Sequence, residues 1–192
     1  MKRSIRITAA AAVTICLVTL APALQAEESW EDLDKASKQA KINEEADMTL
    51  KAVLGENEKA ATLYENAYGW AAFDNLKIAF GFSGGGGNGV AVNKNNGQRT
   101  YMKMGTAGVG IGIGGKKYQL LFLFEDEKTF RSFVDKGWQA DAQAGAQAGG
   151  SGAAAQTGFV NGMAVYQISD KGLMASADVS GTKYWKNNNL NE

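Results

Sequence analysis

The sequence predicts an α+β domain in which helices come first, glycine-rich strands follow, and one further helix lies between strands. Three observations lead there. Between Gly81 and Gly115 lie 13 of the chain's 24 glycines, set among Val, Ile, Phe and Tyr rather than the Ser and Pro of a linker. Upstream of them, Leu50, Val53 and Leu54, then Ala60, Leu63, Tyr64 and Ala67, recur at helical spacing. Downstream, Phe130, Phe133 and Val134 return to that spacing before strand patterns resume.

In order, the chain opens with Lys2, Arg3 and Arg6, an apolar run from Ile7 to Leu20, and Ala21-Pro22-Ala23-Leu24-Gln25-Ala26. That is the plan of a secretory signal peptide, with cleavage expected after Ala26 and the A-x-A at Ala21–Ala23 as the competing site. The competing reading, a membrane anchor, meets an apolar run shorter than the roughly 20 residues that span a bilayer. Cys16 sits inside the run after Val13-Thr14-Ile15, a poor match to a lipoprotein signal. Cleavage of residues 1–26 would leave a chain without cysteine, periplasmic or secreted, stable in an oxidising compartment without disulfides. Losing Lys2, Arg3 and Arg6 from 20 basic residues leaves 17 against 20 acidic ones, a net charge of −3. Nucleic acid is excluded as a partner, since a binder of it carries a basic excess.

Residues 27–47 are charged and Ala-rich, with Ser29 and Asp32 as a weak capping box and a thin apolar row of Trp30, Leu33, Ala36 and Ala40. A lightly packed helix is expected. A stronger helix over Leu50–Leu54 should end at Gly55, and a second should be capped by Asn57 and end at Gly69. Strands are expected at Trp70–Phe73, Lys77–Phe82, Gly89–Asn93, Thr100–Met104, Gly108–Ile113 and Tyr118–Phe124, with a hairpin turn at Asn95-Asn96-Gly97. In the run Gly108, Gly110, Gly112 and Gly114, period 2 places every glycine on one face and Val109, Ile111 and Ile113 on the other. Glycine in a strand costs roughly 0.5–1 kcal/mol relative to Ala, so a bare face implies a surface packed too closely for a Cβ. Asp126 should cap the helix that ends near Lys136. Gln139 to Gly158 has two open readings, a strand with a uniformly small face and a low-complexity linker. Gly162–Ser169 and Leu173–Val179 should form a hairpin through Asp170-Lys171-Gly172, leaving 187–192 as a flexible tail.

No motif supports catalysis. Gly81-Phe82-Ser83-Gly84-Gly85 fits the G-x-S-x-G elbow, but the chain has no histidine to take the serine proton. The G-x-G-x-x-G windows at Gly84–Gly89 and Gly110–Gly115 run into strand, whereas a dinucleotide site must open a helix. Without His or a mature Cys only oxygen ligands remain for a metal, and the acidic trio Glu125-Asp126-Glu127 marks a helix start. No cofactor and no metal are expected. Lys94, Arg99, Lys103, Lys116 and Lys117 form either ordinary solvated edge charge or a basic rim suited to a lipid headgroup.

From about Leu50 to Tyr184 the chain resembles the SYLF domain family, whose eukaryotic members bind phosphoinositide membranes and in some cases actin. The resemblance rests on Tyr68-Gly69-Trp70-Ala71-Ala72-Phe73, on Ile78-Ala79-Phe80-Gly81-Phe82, and on the Gly84–Val90 run. Gly108-Val109-Gly110, Phe130 with Phe133, and Gly172-Leu173-Met174-Ala175-Ser176-Ala177-Asp178-Val179-Ser180-Gly181 complete it. Asp74 stands where the family usually has Pro, and Gly149-Gly150-Ser151-Gly152 where it favours Gly-Pro-x-Gly. The resemblance implies a curved, mostly antiparallel sheet or barrel with flanking helices over residues 48–186, no enzymatic activity, and contact with anionic phospholipid or a membrane surface. The alternative from another class is a structural or protein-interaction module with no lipid ligand. Export would exclude actin as a partner.

Overall fold

The computed structural model describes residues 21–139, 158–169, 172–174 and 181–192; the side chains of 21–30, 79–83, 108–113 and 174 lie outside the description. The expectations for 1–20, for 140–157, for the turn residues Asp170 and Lys171, and for the strand beyond Met174 therefore fall outside it. The chain divides into two compact units, residues 1–36 and 37–192. In the first, the described residues are helical, and Leu33 is exposed rather than packed. All that follows concerns the second.

Helix α1 (Ala21–Glu56) runs unbroken past Ser29 and through Gly55, so neither the expected start nor the expected stop operates. Ile42, Ala46, Thr49 and Val53 are its buried stripe, at i, i+4, i+7 and i+11. Asn57 caps α2 (Glu58–Asn66) by accepting from the Ala60 N–H at 2.9 Å, as its sequence position requires.

Two very long strands replace the six short ones expected. β1 (Gly69–Asn93) and β2 (Arg99–Phe124) form one antiparallel ribbon, joined through the Asn95-Asn96-Gly97 turn. Gly97 has φ +72° and donates to Asn93 O at 2.8 Å. The register is unbroken from Gly69↔Phe124 to Phe80↔Ile113 and resumes at Phe82↔Val109. Gly81 alone thus spans residues 110–112 of its partner. This bulge divides the ribbon into halves, and the second half of β1 folds back along the first. A Cβ on Gly85 would lie 2.5 Å from the Leu76 carbonyl oxygen. On Gly87 it would overlap Asp74 O and Asn75 Oδ1, and on Gly89 it would overlap Ala72 O. Only glycine permits that approach.

After β2 comes α3 (Glu127–Lys136), whose cap Asp126 accepts from the Thr129 N–H at 2.8 Å. Short strands follow: β3 (Trp138–Gln139), β4 (Met163–Ser169), β5 (Gly172–Met174) and β6 (Thr182–Lys186). β4 pairs with the last third of β2 and β6 with its first third, and β1 lies along the other edge of both. β5 pairs with β4 and β3 with β6, so every pairing is antiparallel. The result is a curled α+β sheet with α3 between strands, as expected.

Both faces of this sheet are covered, which is why Leu120–Phe124 reads as an uninterrupted apolar run. Phe73, Phe122, Phe124 and Tyr184 pack with Phe130 and Phe133 of α3, the Phe73–Tyr184 and Phe124–Phe133 rings lying 4.9 Å apart. Trp70, Leu121, Leu123 and Tyr166 pack on the opposite side with Ile42 and Val53 of α1 and Ala60 of α2. Residues 187–192 are no loose tail. Helix α4 (Asn188–Asn191) buries Leu190, and Asn191 exchanges two hydrogen bonds with the Tyr101 backbone at 2.7 and 2.9 Å.

Candidate functional site

The five basic residues singled out from sequence occupy separate places. Lys94 donates through Nζ to Tyr64 O and, at 3.2 Å, to Glu65 O, with its ammonium 4.3 Å above the Tyr64 ring. It closes the end of α2, where backbone carbonyls and the helix dipole favour a cation. Burial lowers its pKa, and the Glu65 carboxylate opposes that shift. Arg99 reaches α1, donating to Asn43 Oδ1 at 3.0 Å and to both Asp47 oxygens at 3.1 and 3.3 Å. These two cations fasten helices to the open end of the ribbon.

Lys116 and Lys117 sit exposed on the far half of β2, next to the bend. Lys116 pairs in register with Lys77, Lys117 with Leu76, and Gly115 with Ile78. Residues directly opposite share a face, so Leu76, Ile78 and Lys117 lie on one side of the ribbon and Lys77 and Lys116 on the other. Leu76 is 42% exposed and Ile78 56%, unusual for apolar side chains at the middle of a long strand. Two neighbouring apolar groups thus emerge beside Lys117, with Lys77 and Lys116 on the reverse face.

Of the glycine face expected to be closely packed, Gly114 alone has described surroundings; Gly115 points to the other face. A Cβ on Gly114 would meet nothing within 4 Å, and one on Gly115 would only touch Leu76 Cδ1 at 4.0 Å. Gly108, Gly110 and Gly112 are in β2, but their surroundings lie outside the description. Among the described residues a close approach falls on Gly85, Gly87 and Gly89, because they line the inside of the fold-back.

Lys103 belongs to a groove of about 470 Å³. One wall is α1, with Lys38, Lys41 and Glu45; the other is the ribbon, with Asp74, Asn88 and Lys103; Asn187 and Asn189 close one end. Ile42 and Leu190, both buried, contribute apolar surface. Asn187 is 5% exposed, and its Oδ1 has no hydrogen-bond partner among the described residues. A second hollow, about 350 Å³, lies between Thr49 of α1 and Lys117 and Gln119 of β2. Among the described residues no group of three or more carboxylates could hold a metal ion, and no helix is long and apolar enough to cross a membrane.

The sequence that builds this ribbon is similar to known ones. Residues 105–192 match the family model Ysc84, described as "Las17-binding protein actin regulator", the SYLF domain. The chain carries a SYLF-family domain. It is also similar to Beta cell expansion factor A of Aeromonas veronii, with 44% identity over 160 residues that cover 82% of this chain and 61% of that protein. The chain thus spans less than two thirds of that relative's length. The SYLF match takes in Lys116, Lys117 and the α4 end of the groove, while Lys103 and α1 precede it.

Sequence reasoning found Lys103, Lys116 and Lys117 but missed their neighbours. Leu76 and Ile78 alternate like any half-buried strand, and nothing local shows that the inner side of that strand is taken up by glycines. Lys38, Lys41, Asn187 and Asn189 lie in segments that read as a thin polar helix and a tail.

Proposed function

We propose that this SYLF-domain protein is a non-enzymatic, exported binding module that meets an anionic phospholipid surface with the bend of its long ribbon. The observation that carries the reading is the exposure of Leu76 and Ile78 beside Lys117 on one face of the ribbon near its bend, with Lys77 and Lys116 on the reverse face of the same segment. Each lysine near an anionic surface contributes attraction of about 1 kcal/mol. Each methylene moved from water into the acyl boundary adds about 0.8 kcal/mol. Periplasmic or secreted placement follows from the signal-like leader, and the absence of any histidine supports a role without acid–base catalysis.

Flotation with vesicles of phosphatidylglycerol and of phosphatidylcholine tests the reading. The chain should float with the first and not the second. Lys116→Glu/Lys117→Glu should weaken that association well over about tenfold, since two reversed charges exceed the 1.4 kcal/mol that a tenfold change represents. Salt should reproduce part of the loss by screening. Leu76→Ser/Ile78→Ser should weaken the salt-resistant remainder. A parent chain that binds neither vesicle overturns the proposal and leaves the structural or protein-interaction reading. The mass of the exported chain, expected to begin at Glu27, tests the address.

A further inference from the structure

The ribbon face that carries Leu76, Ile78 and Lys117 continues towards α1, and its chemistry changes in steps. Residues paired in register share that face: Ile78 with Gly115, then Leu76 with Lys117, then Asp74 with Gln119 and, across β2, Ile168. Each step is two residues, about 7 Å along the strand. The first two pairs are exposed, Asp74 and Gln119 are half-buried, and the next pair, Ala72 and Leu121, is fully buried against the helices. At the Asp74–Gln119 step α1 meets the ribbon with Glu45 and Met48, and Lys117 completes the hollow of about 350 Å³. From the bend inward the order is therefore apolar, cationic, anionic.

We propose that this hollow holds the headgroup of a phospholipid that ends in a primary ammonium, as phosphatidylethanolamine does. The proposal rests on the reading that the bend meets a membrane, and it names a lipid that the bend selects there. Acyl chain, phosphate and ammonium follow one another along such a lipid in the order that this face presents their partners. Leu76 and Ile78 meet the acyl boundary, with Met48, 60% exposed, adding apolar surface at the hollow. Lys117 makes no ion pair among the described residues and takes the phosphate. Beyond it Asp74 accepts one hydrogen bond, from Gln119 Nε2 at 3.4 Å, and makes no ion pair among the described residues. Glu45 has only a long contact to Lys41, 3.9 Å with that lysine three-quarters exposed. A purely anionic headgroup would satisfy Lys117 and then meet two carboxylates of its own sign. A zwitterionic one satisfies all three. A primary ammonium brings three N–H donors to Asp74 and Glu45, whereas the quaternary ammonium of phosphatidylcholine brings charge and no donor. Both carboxylates are half-buried, where such attraction is stronger than in open water. The volume falls within the range of small-molecule sites.

Co-sedimentation of the full chain with two sets of vesicles tests this at constant surface charge. Both sets contain the same fraction of phosphatidylglycerol; the remainder is phosphatidylethanolamine in one and phosphatidylcholine in the other. The parent should bind the ethanolamine set several-fold more tightly. Asp74→Asn and Glu45→Gln, each shown by circular dichroism to be folded, should lose most of that preference. Both should bind the choline set at least as tightly as the parent does, since each removes a negative charge from a surface that approaches anionic lipid. Equal binding of the parent to the two sets overturns the headgroup site and leaves the membrane reading standing. A preference that survives in both variants belongs to the packing of the ethanolamine bilayer and overturns the site too. Binding to neither set overturns the membrane reading, and the headgroup site falls with it.

Discussion

Gly87 faces Asn75 so closely that a single methyl group at position 87 would occupy the place of the Asn75 side-chain oxygen. The two residues belong to the same strand, 12 positions apart, and meet because the ribbon of β1 and β2 folds back on itself at Gly81. Asn75 is itself buried at 2% exposure, so it has no room to withdraw.

Gly87→Ala should therefore lower stability by the roughly 1–3 kcal/mol that overpacking costs. For a chain of this size that amounts to a fall of several degrees, at about 2–4 °C per kcal/mol. Gly115→Ala is the control, because its new methyl group would make only ordinary contact with Leu76. Its thermal midpoint should stay level or rise. Equal melting of both variants would show that the inner face of the fold-back has slack.

Tyr184 is fully buried among Phe73, Phe122, Phe133 and Trp138, and among the described residues its hydroxyl has no partner. Burial, with Tyr118 adding to it, pushes the hydroxyl pKa well above the usual tyrosine range. Tyr184→Phe keeps the ring and removes a buried polar group that costs about 1–3 kcal/mol when unpaired. Thermal unfolding should show a midpoint equal to or above the parent's. A fall of several degrees would mean that the hydroxyl is bonded in solution.

The Asp126 carboxyl is held below the ordinary carboxylate range, first because the Thr129 N–H bonds its ionised form; desolvation opposes this as the next largest effect, and the Thr129 hydroxyl, the Lys128 N–H and the Lys128 charge add to the lowering. A pKa depressed by folding means stability present above the unfolded value and lost as pH falls through the folded one. Asp126→Asn keeps an oxygen to accept from Thr129 but carries no charge. The parent should be the more stable of the two at neutral pH, and the gap should close in acid as Asp126 protonates. A gap that stays constant across the titration would assign the effect to something other than this charge.

The sequence by itself determined what short-range chemistry determines. Asn57 and Asp126 cap because a side-chain oxygen reaches an N–H three residues on, and Gly97 turns because it tolerates positive φ. Alternation and helical spacing placed α2, α3, β4 and the strand content of the ribbon, and the order of glycines carried the SYLF resemblance. The tertiary structure alone decided where the ribbon bends, since a bulge at Gly81 depends on the register between strands whose paired residues lie up to 55 positions apart. It also showed close-packed glycines at Gly85, Gly87 and Gly89, because contact through a fold-back leaves no periodic mark that differs from an open face. Lys94 and Arg99 look like Lys103 and Lys116 in sequence. They differ because helix ends and the Asp47 carboxylate happen to lie within reach, and a groove drawn from residues 38 to 190 exists only once those distant segments are packed together.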